Sequence, residues 1–408
     1  MNNDFKTKLQ KQEFEALKDK HRVILRWATG CGKSKMTIDL VNNVLKNFSS
    51  SKPAYVLFVV AERAHINNWK EEMKKWNLNS SKMECTIICY NSLPKMVDKL
   101  FDVVVMDEGH HAFTEKRKEA LKRIYANNVF ILSATLSYAK VYEAEEIYGK
   151  FVTSTVSLKK AIKEDVLPDP KIYVIGLTLD NTKVNQKVVG VKGKNPVEVS
   201  YEDRFKYITK KIPCVIKCTE YQKYNHITSS MDYWKDRYTV SNRPMDKNKW
   251  VNLGSQRKRF IGELKTEYVK DLLSKLKDKR YICFCTSVAQ AVSLNGKYTV
   301  SSRRTTSANQ SVIDAFNNKE TNSLFAVSML TEGMNLTDID ACVITQLDGQ
   351  QRLFIQKLGR SLRSKSPLAF IFYYKGTQDE NYLKQAIENI DEKFVEYINI
   401  EDFKNIKV

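Results

Sequence analysis

The stretch that most constrains the fold of this chain is VILRWATGCGKSKMT, residues 23–37. A β-rich apolar run leads into Gly30, Lys33 and Ser34, and a helix-like segment follows them. Glycines at such a junction let backbone N–H groups close around phosphate oxygens, while a lysine and a hydroxyl manage charge and Mg²⁺. We interpret the stretch as a P-loop, although Trp27 stands where the strict pattern has glycine. An ordinary glycine turn between strand and helix is the alternative.

The charge balance of the chain indicates a polyanionic partner. The 408 residues include 67 lysines and arginines against 47 aspartates and glutamates, a formal net charge of +20. Such an excess favours nucleic acid over a membrane surface, and a merely solvated basic surface is the alternative. No run approaches the ~18 apolar residues of a membrane span, and MNNDFKTKLQ lacks the apolar core of a secretory signal. We therefore expect a soluble, cytoplasmic protein without a membrane partner.

The eight cysteines fit a reducing compartment. Two pairs lie in the apolar, strand-like runs 85–89 and 282–285, where cysteine usually behaves as a small buried hydrophobe. Cys214, Cys218 and His226 could be combined into a zinc site, but no second closely spaced pair completes four ligands. We therefore expect no zinc.

Short β-rich runs alternate with amphipathic, helix-like stretches in two series along the chain. The first includes RVILRW, AYVLFVV, FDVVVMDE and NVFILSAT, and the second includes RYICFCTS, LFAVSML, ACVITQLD and LAFIFYY. This alternation predicts an α/β fold with parallel sheets, and we place two domains at residues 1–165 and 166–408. At about 180–255 the sequence becomes polar, aromatic and basic, so we expect an accessory insertion there.

Two carboxylates follow one of the apolar runs. Asp107 and Glu108 come directly after FDVVVM, where a buried strand would place them at the carboxyl edge of a parallel sheet, the edge at which ligands bind. One carboxylate there can hold Mg²⁺ through water, and the next can polarise a hydrolytic water. A solvated strand end would explain a lone Asp-Glu pair, but the P-loop upstream favours a catalytic role.

Five ordered motifs carry a family resemblance. WATGCGKS, MDEGH, SAT at 133–135, TEGMNL at 331–336 and QKLGRSLR at 356–363 follow the order of motifs I, II, III, V and VI of superfamily 2 helicases and translocases, which the chain resembles across both α/β regions. The resemblance implies two RecA-like domains that bind ATP and Mg²⁺ in the cleft between them. Absence of the first Walker glycine is common in this superfamily, so Trp27 is compatible with it.

The resemblance implies a role for each matched residue. The residues implied in catalysis are Lys33, Asp107, Glu108, Gln356, Arg360 and Arg363. The residues implied in ATP binding are Gln12, Thr29, Gly30, Cys31, Gly32, Lys33, Ser34, Gly333 and Asn335. Mg²⁺ would be held by Ser34 and Asp107. The residues implied in coupling hydrolysis to the nucleic acid are His110, Ser133 and Thr135.

The roles implied for the matched residues are those that phosphoryl transfer requires. Lys33 would neutralise the β and γ phosphates, and Glu108 would activate water. Arg360 and Arg363 would act as arginine fingers that complete the site only when the cleft closes. Gln12 in LQKQEFEAL is preferred to Gln10 as the adenine-contacting glutamine.

The strand-contacting positions of the family fall on polar residues near strand ends. They are Arg63, Tyr90, Ser92, Thr286, Ser287 and Thr331. Small hydroxyls and backbone amides suit phosphate contacts, which position a strand without reading its sequence. Simple turn chemistry is the alternative for each residue taken singly.

The region around VVAERAHINNWKEEMKKW resembles that of Swi/Snf-type and restriction-type translocases more than that of RNA-directed DEAD-box enzymes. The compact size is similar to that of small bacteriophage-encoded helicases, which implies a bacterial or phage-infected host cell. We therefore expect an ATP-dependent DNA helicase or translocase, a monomer or weak oligomer. An RNA helicase and a nucleic-acid-binding module with a non-hydrolysing cleft remain as alternatives.

The predicted insertion interleaves aromatic and basic residues. YQKYNHITSSMDYWKDRYTVSNRPMDKNKW, residues 221–250, mixes tyrosines and tryptophans with lysines and arginines, a composition suited to stacking on bases while neutralising phosphates. We hypothesise that this element contacts DNA beyond the core motifs. The alternative, equally compatible with the sequence, is that the aromatic residues pack a small helical element onto the second domain.

Overall fold

Two parallel sheets organise the computed structural model of the chain. The residues that the structure describes are 3–182, 185–189, 196–201, 203–328, 336, 338–349, 351–362, 364, 366–388, 390–403 and 405–406. The predicted α/β fold with two parallel-sheet domains is confirmed. Within these ranges no helix combines the length and the apolar character that crossing a membrane requires.

The first domain is a parallel sheet with helices on both faces. Its strands are β1 (Arg22–Trp27), β2 (Ala54–Val60), β3 (Met83–Cys89), β4 (Lys99–Met106), β5 (Ile124–Leu132) and β6 (Val152–Val156). Its helices are α1 (Asn3–Leu17), α2 (Lys33–Lys46), α3 (Arg63–Lys75), α4 (Glu115–Leu121), α5 (Tyr138–Tyr148) and α6 (Leu158–Lys163). The six strands run in the order β3-β2-β4-β5-β1-β6, and every pair is parallel.

Burial on both faces explains why the strands of this sheet read as continuous apolar runs. In β4, Val103 and Val105 contribute to the apolar core on one face, whereas Val104 and Met106 contribute to the core on the other. Successive side chains of a strand point to opposite faces, so a strand covered on both sides needs apolar residues at every position. The polar residues can then begin only where the strand ends.

The insertion combines a small sheet with a long helical hairpin. Its elements follow β7 (Lys171–Leu177) and are β8 (Asn185–Val189), β9 (Val197–Ser200), α7 (Arg204–Thr209), β10 (Cys214–Cys218), α8 (Glu220–Ser241) and α9 (Pro244–Leu264). The α8–α9 hairpin has clear local causes. A capping box starts α8, because Thr219 Oγ1 accepts a bond from the Gln222 N–H and Gln222 Oε1 accepts one from the Thr219 N–H. Asn242 then turns the chain at φ 50°, and Pro244 occupies the first turn of α9.

The second domain holds the larger sheet. After α10 (Thr266–Lys275) come β11 (Tyr281–Cys285), α11 (Val288–Ser293), β12 (Thr299–Ser301), α12 (Thr306–Asn317), β13 (Ser323–Val327), β14 (Ala341–Ile344), α13 (Gln351–Ser361), β15 (Leu368–Tyr374), α14 (Gln378–Ile387), β16 (Val395–Asn399) and α15 (Ile400–Phe403). Seven parallel strands run in the order β12-β13-β11-β14-β15-β7-β16. The proposed domain boundary at residue 165 falls between β6 of the first sheet and β7 of the second.

The two domains share apolar contacts. One buried cluster contains residues of both sheets, for example Leu25 of β1 and Ile344 of β14. Leu167, in the segment that joins the domains, belongs to the same cluster and lies against the P-loop: a Cβ on Gly30 would be 3.0 Å from Leu167 Cδ2. The connection between the domains is therefore packed on the P-loop itself.

Candidate active site

The loop after β1 has the backbone geometry of a phosphate cradle. Gly30 adopts φ 94° and Gly32 adopts φ 93°, values in the left-handed region that side chains rarely enter. Helix α2 begins at Lys33, directly after the second of these glycines. Backbone N–H groups at a helix N-terminus and the positive end of its dipole favour an anion there. Lys33 Nζ donates to the Trp27 carbonyl at 3.0 Å, so its ammonium is held at the loop.

Trp27 is a core residue rather than a degenerate loop residue. The side chain is fully buried at the end of β1. Its indole N–H donates to Ser154 Oγ at 2.7 Å, and that hydroxyl donates to Glu13 Oε2 at 2.7 Å. The tryptophan thus ties β1 to β6 and α1, which gives a structural reason for the departure from the strict glycine pattern.

Helix α1 contacts the P-loop through a glutamine, but not through the one preferred from the sequence. Gln10 is buried and its Nε2 donates to the Cys31 carbonyl at 3.0 Å, while Lys6 Nζ donates to the Gly30 carbonyl at 2.7 Å. Gln12 is exposed, because two residues along a helix turn a side chain by about 200°. The structure therefore favours Gln10 over Gln12 as the glutamine that contacts the P-loop, and an adenine contact of either glutamine stays a prediction.

Cys31 lies inside the loop as a neutral thiol. Burial raises the pKa of Cys31 to about 11, and the nearby Lys33 and Lys6 ammonium groups only partly oppose this rise. Near neutral pH the residue therefore adds no negative charge to a site built for phosphate.

Asp107 is oriented by three hydrogen bonds at the end of β4. Trp69 Nε1 donates to Asp107 Oδ2 at 2.9 Å, and the Glu108 backbone N–H donates to Asp107 Oδ1 at 3.0 Å. The Tyr90 hydroxyl donates to the Asp107 carbonyl at 2.8 Å. Because both carboxylate oxygens accept a bond, the plane of the group is fixed. A rigid carboxylate at the carboxyl edge of the sheet suits a site for a hard cation such as Mg²⁺.

Glu108 begins a polar chain that leads to the next motif. Its backbone adopts φ 47°, a left-handed conformation that costs a non-glycine residue on the order of 1–3 kcal/mol. Glu108 Oε2 lies 3.4 Å from His110 Nδ1, which in turn lies 3.2 Å from Ser133 Oγ. The Thr135 N–H donates to the same hydroxyl at 3.2 Å. The three predicted coupling residues are therefore brought together with Glu108.

Sheet order places these groups on one edge. The P-loop follows β1, Asp107 follows β4 and Ser133 follows β5, and the three strands are neighbours in the order β4-β5-β1. At about 4.8 Å per strand, the ends of β1 and β4 lie about 10 Å apart. That separation leaves room for a triphosphate and its metal between the P-loop and Asp107.

Helix α13 brings the second domain against the P-loop. A Cβ on Gly359 would lie 2.9 Å from Thr29 Cβ, so the backbone of α13 packs directly on the loop. Gln356 is buried three residues earlier on the same helix. Arg360 follows Gly359 in α13, but its side chain lies outside the described residues, as do Arg363, Gly333 and Asn335. Their predicted roles stay predictions.

Lys357, which follows Gln356 in α13, is a structural residue. Its Nζ donates to Asp348 Oδ2 at 3.1 Å and to the Gln346 carbonyl at 3.2 Å. Both partners belong to the second domain, so this cation is used to hold the segment before α13.

The predicted strand-contacting residues divide into exposed and internally bonded ones. Arg63 is exposed at the first residue of α3, and Ser92 is half-buried. Tyr90 is only 1% exposed, and its hydroxyl donates to the Asp107 carbonyl. The predicted strand contact is therefore corrected for the Tyr90 side chain, which packs in the core. Thr331 lies outside the described residues.

The two residues after β11 bond within their own domain. Thr286 Oγ1 donates to Gln346 Oε1 at 2.6 Å. Ser287 caps α11 by accepting the Gln290 N–H at 3.1 Å, and its hydroxyl donates to Glu263 Oε1 at 3.0 Å. The side chains therefore show the turn chemistry that was the alternative, and strand contact by either residue stays a prediction.

Sequence reasoning missed Trp69 and Lys6 at this site. Trp69 lies in the run HINNWKEEMKKW, whose spacing marks it only as an apolar residue of an amphipathic helix. Nothing in the sequence indicates that its indole N–H donates to Asp107, a carboxylate that follows a different strand. Lys6 is one of several lysines of α1, and only the packing of α1 on the loop distinguishes it.

Two family models match the chain. The model described as "Type III restriction enzyme, res subunit" matches residues 3–138, and the model described as "Helicase conserved C-terminal domain" matches residues 264–365. Among curated proteins, the chain is similar to the "DNA 3'-5' translocase XPB2" of Sulfurisphaera tokodaii, with 21% identity over 422 residues that cover 92% of this chain and 84% of the relative.

Solved structures confirm the architecture. Dbp5 of S. cerevisiae bound to RNA and ADP BeF3 superposes with a TM-score of 0.61 at 12% identity, covering 98% of this chain and 91% of that one. The ATP-dependent Type ISP restriction-modification enzyme LlaBIII bound to DNA gives a TM-score of 0.57 at 12% identity, covering 97% of this chain and 31% of that one. These likenesses show that the two sheets form RecA-like domains.

Proposed function

Because its motifs and both family matches make this chain a superfamily 2 helicase or translocase, we propose that it couples ATP hydrolysis in the interdomain cleft to movement along DNA. The observation that carries the proposal is the packing of Gly359 on Thr29, which brings α13 against the P-loop. The two halves of a composite site therefore meet where the nucleotide phosphates would lie.

The residues present fit ATP with Mg²⁺. The two left-handed glycines, the N-terminus of α2 and Lys33 form an anion site, while the oriented Asp107 carboxylate and Ser34 offer oxygen ligands. Bound Mg²⁺ would neutralise charge that develops on the phosphates. The protein's part is to fix the phosphate chain along the loop and to orient water through Glu108.

Domain closure links hydrolysis to movement. Arginines from α13 complete the site only when the second domain approaches the P-loop, so each cycle of ATP binding and hydrolysis changes the distance between the domains. If both domains hold the same strand, each cycle moves one grip relative to the other. The polar chain from Glu108 through His110 to Ser133 supplies a route by which the loop after β5 senses the nucleotide.

One comparison favours DNA over RNA as the substrate. The relative at 21% identity carries a name that describes a DNA 3'-5' translocase, and the excess of basic residues suits any nucleic acid. Of the two similar solved structures, one is bound to RNA and one to DNA, and their similarity to this chain concerns the fold alone. An RNA helicase is the second candidate, and stimulation that depends on the 2′-OH would identify it.

An ATPase assay against single-stranded, duplex and forked DNA and against RNA of the same sequence tests the proposal. We expect stimulation by DNA above that by RNA, and loss of turnover in Lys33→Ala with weaker ATP binding. Lys46→Ala, which removes an exposed lysine at the opposite end of the same helix, is the matched control and should behave like the unsubstituted protein. Turnover that no nucleic acid alters would contradict the proposal.

A further inference from the structure

An open groove of about 630 Å³ lies on the α8–α9 hairpin. Trp234 comes from α8, and the other residues used here come from α9: Lys249, Asn252, Leu253, Gln256 and Arg259. Its volume falls within the usual range for small-molecule and nucleotide sites. The groove therefore has room for a nucleobase and its sugar.

The indole ring of Trp234 lines the groove with two cations over it, so a base can stack on the ring only by displacing Lys249. The side chain is half-buried, with Lys249 Nζ 3.9 Å and Arg237 Cζ 5.2 Å from the centre of its ring. Leu253 lines the same groove. Indole with an adjacent aliphatic surface is a common platform for base stacking, which tolerates any sequence because every base has a π face.

The residues of α9 alternate amide and cationic groups along one face. Lys249, Asn252, Gln256 and Arg259 recur every three or four residues, so they form a row about 15 Å long. The described residues that line the groove include two cations and no carboxylate. Amides can bond base edges and cations can bond phosphates, so the row is complementary to a polyanion that carries bases.

The end of α9 that follows the groove packs on the residues after β11. Gly262, three residues beyond Arg259, packs on Thr286, because a Cβ there would lie 2.6 Å from Thr286 Cβ. Glu263 accepts the Ser287 hydroxyl. A strand that passes the second domain at this point would come near Arg259, about one turn earlier in α9.

Within the hairpin, Trp234 contacts Lys249 and Arg237 over its ring and Tyr233 edge-on, apart from the apolar packing near the second domain. The buried apolar residues of the hairpin lie in the half next to the second domain: Tyr224, Ile227, Phe260 and Ile261. Farther out, Tyr238 stacks on Trp250 with ring centres 6.2 Å apart, and this pair joins the two helices there. Trp234 lies along α8 between these two layers and lines the groove.

We propose that this groove binds an unpaired base of single-stranded DNA, stacked on Trp234, with the adjoining phosphates held by Lys249 and Arg259. The proposal rests on the proposed DNA function and extends it, because the core motifs contact the backbone whereas this groove requires a base. The hairpin then grips the single strand beside the core and gives the protein a preference for single-stranded over fully paired DNA.

Binding of a (dT)12 oligonucleotide and of a 12-mer of abasic nucleotides, measured by anisotropy, tests the groove. We expect the unsubstituted protein to bind (dT)12 about tenfold more tightly, the effect of a single stacked base. Trp234→Ala should bind both oligonucleotides equally, and Trp234→Phe should keep part of the preference. Tyr233→Ala, which removes the exposed aromatic neighbour outside the groove, should keep all of it.

Photocrosslinking of an oligonucleotide that carries 5-iododeoxyuridine should label Trp234. The proposal that the groove binds a base would be contradicted by equal affinity of the unsubstituted protein for the two oligonucleotides. It would also be contradicted by full preference for (dT)12 in a folded Trp234→Ala variant. ATPase stimulation of the unsubstituted protein by DNA is scored separately, so failure of the groove and failure of the proposed function give different results.

Discussion

The P-loop and the α8–α9 hairpin both gather groups that suit polyanions, but they are built in opposite ways. At the P-loop the polar groups are fixed by hydrogen bonds. Lys33 Nζ donates to the Trp27 carbonyl, and Gln10 Nε2 donates to the Cys31 carbonyl. On the hairpin, the basic residues Lys235, Arg243 and Lys247 are exposed.

The difference follows from what each region must do. Phosphoryl transfer needs groups that are already oriented when charge develops, so fixed hydrogen bonds serve it. A grip on a moving strand must form and release at each step, so mobile cations and a stacking surface serve it better. Substitutions should therefore have large effects on turnover in the cleft and graded effects on affinity in the hairpin.

The largest effect is expected for Arg360→Ala. Because this arginine follows the glycine that packs on Thr29, its loss should lower turnover by about 10³-fold or more with little change in ATP affinity. Steady-state ATPase and nucleotide-binding measurements check it. The control is Arg123→Ala, an exposed arginine paired with Asp98, which should leave both values unchanged. A kinetically silent Arg360→Ala would contradict the composite site.

The second-largest effect is expected for Glu108→Gln. It removes the group that activates water and leaves the phosphate cradle intact, so turnover should fall by about 10²- to 10⁴-fold while ATP binding persists. Single-turnover hydrolysis beside equilibrium ATP binding separates the two quantities. Undiminished ATPase would remove Glu108 from its assigned role.

Trp69→Phe tests whether fixed orientation matters at Asp107. The change keeps an aromatic ring but removes the N–H that donates to the carboxylate at 2.9 Å. We expect turnover to fall by about tenfold, the value of one bond to a charged group, and the Mg²⁺ concentration for half-maximal activity to rise. Trp76→Phe is matched to it, because Trp76 donates to Glu72 away from the site at 2.8 Å. Equal Mg²⁺ dependence in the two variants would contradict a positioning role.

Replacement of four basic residues tests whether the hairpin binds DNA phosphates. Joint replacement of Lys235, Arg237, Arg243 and Lys247 by glutamine should weaken DNA binding and reduce its salt dependence by up to about four phosphate contacts. ATPase activity without DNA should stay near normal. Binding isotherms at several salt concentrations measure the slope. The control replaces four exposed lysines of the first domain, Lys46, Lys52, Lys122 and Lys150. An unchanged slope would favour packing as the role of these residues.

The smallest effect is expected at Cys31. Because burial raises its thiol pKa to about 11, the thiolate that alkylating reagents attack becomes abundant only as the pH approaches that value. Labelling by iodoacetamide at pH 8 should therefore be slow, and Cys31→Ala should alter ATPase activity little. Rapid labelling of Cys31 at pH 8 would show that the loop opens to solvent.

The sequence by itself determined the two parallel sheets, the P-loop and the carboxylates after β4. These features depend on local chemistry: apolar runs for strands that are covered on both faces, glycines for left-handed backbone, and polar residues where a strand ends. The spacing of Gly30 and Gly32 before a helix needed no tertiary contact to be recognised. The same holds for Asp107, which directly follows a continuous apolar run.

Only the tertiary structure decided which of several equivalent residues reach the site. It selected Gln10 over Gln12, buried Tyr90 beneath Asp107, brought Trp69 to the same carboxylate and set Gly359 on Thr29. Each choice depends on how one element is rotated or docked on another, and a rotation of about 100° per helical residue changes which side chain faces a neighbour. Sequence patterns specify the face that is apolar, whereas contacts between residues far apart in the chain fix the polar atoms that meet across it.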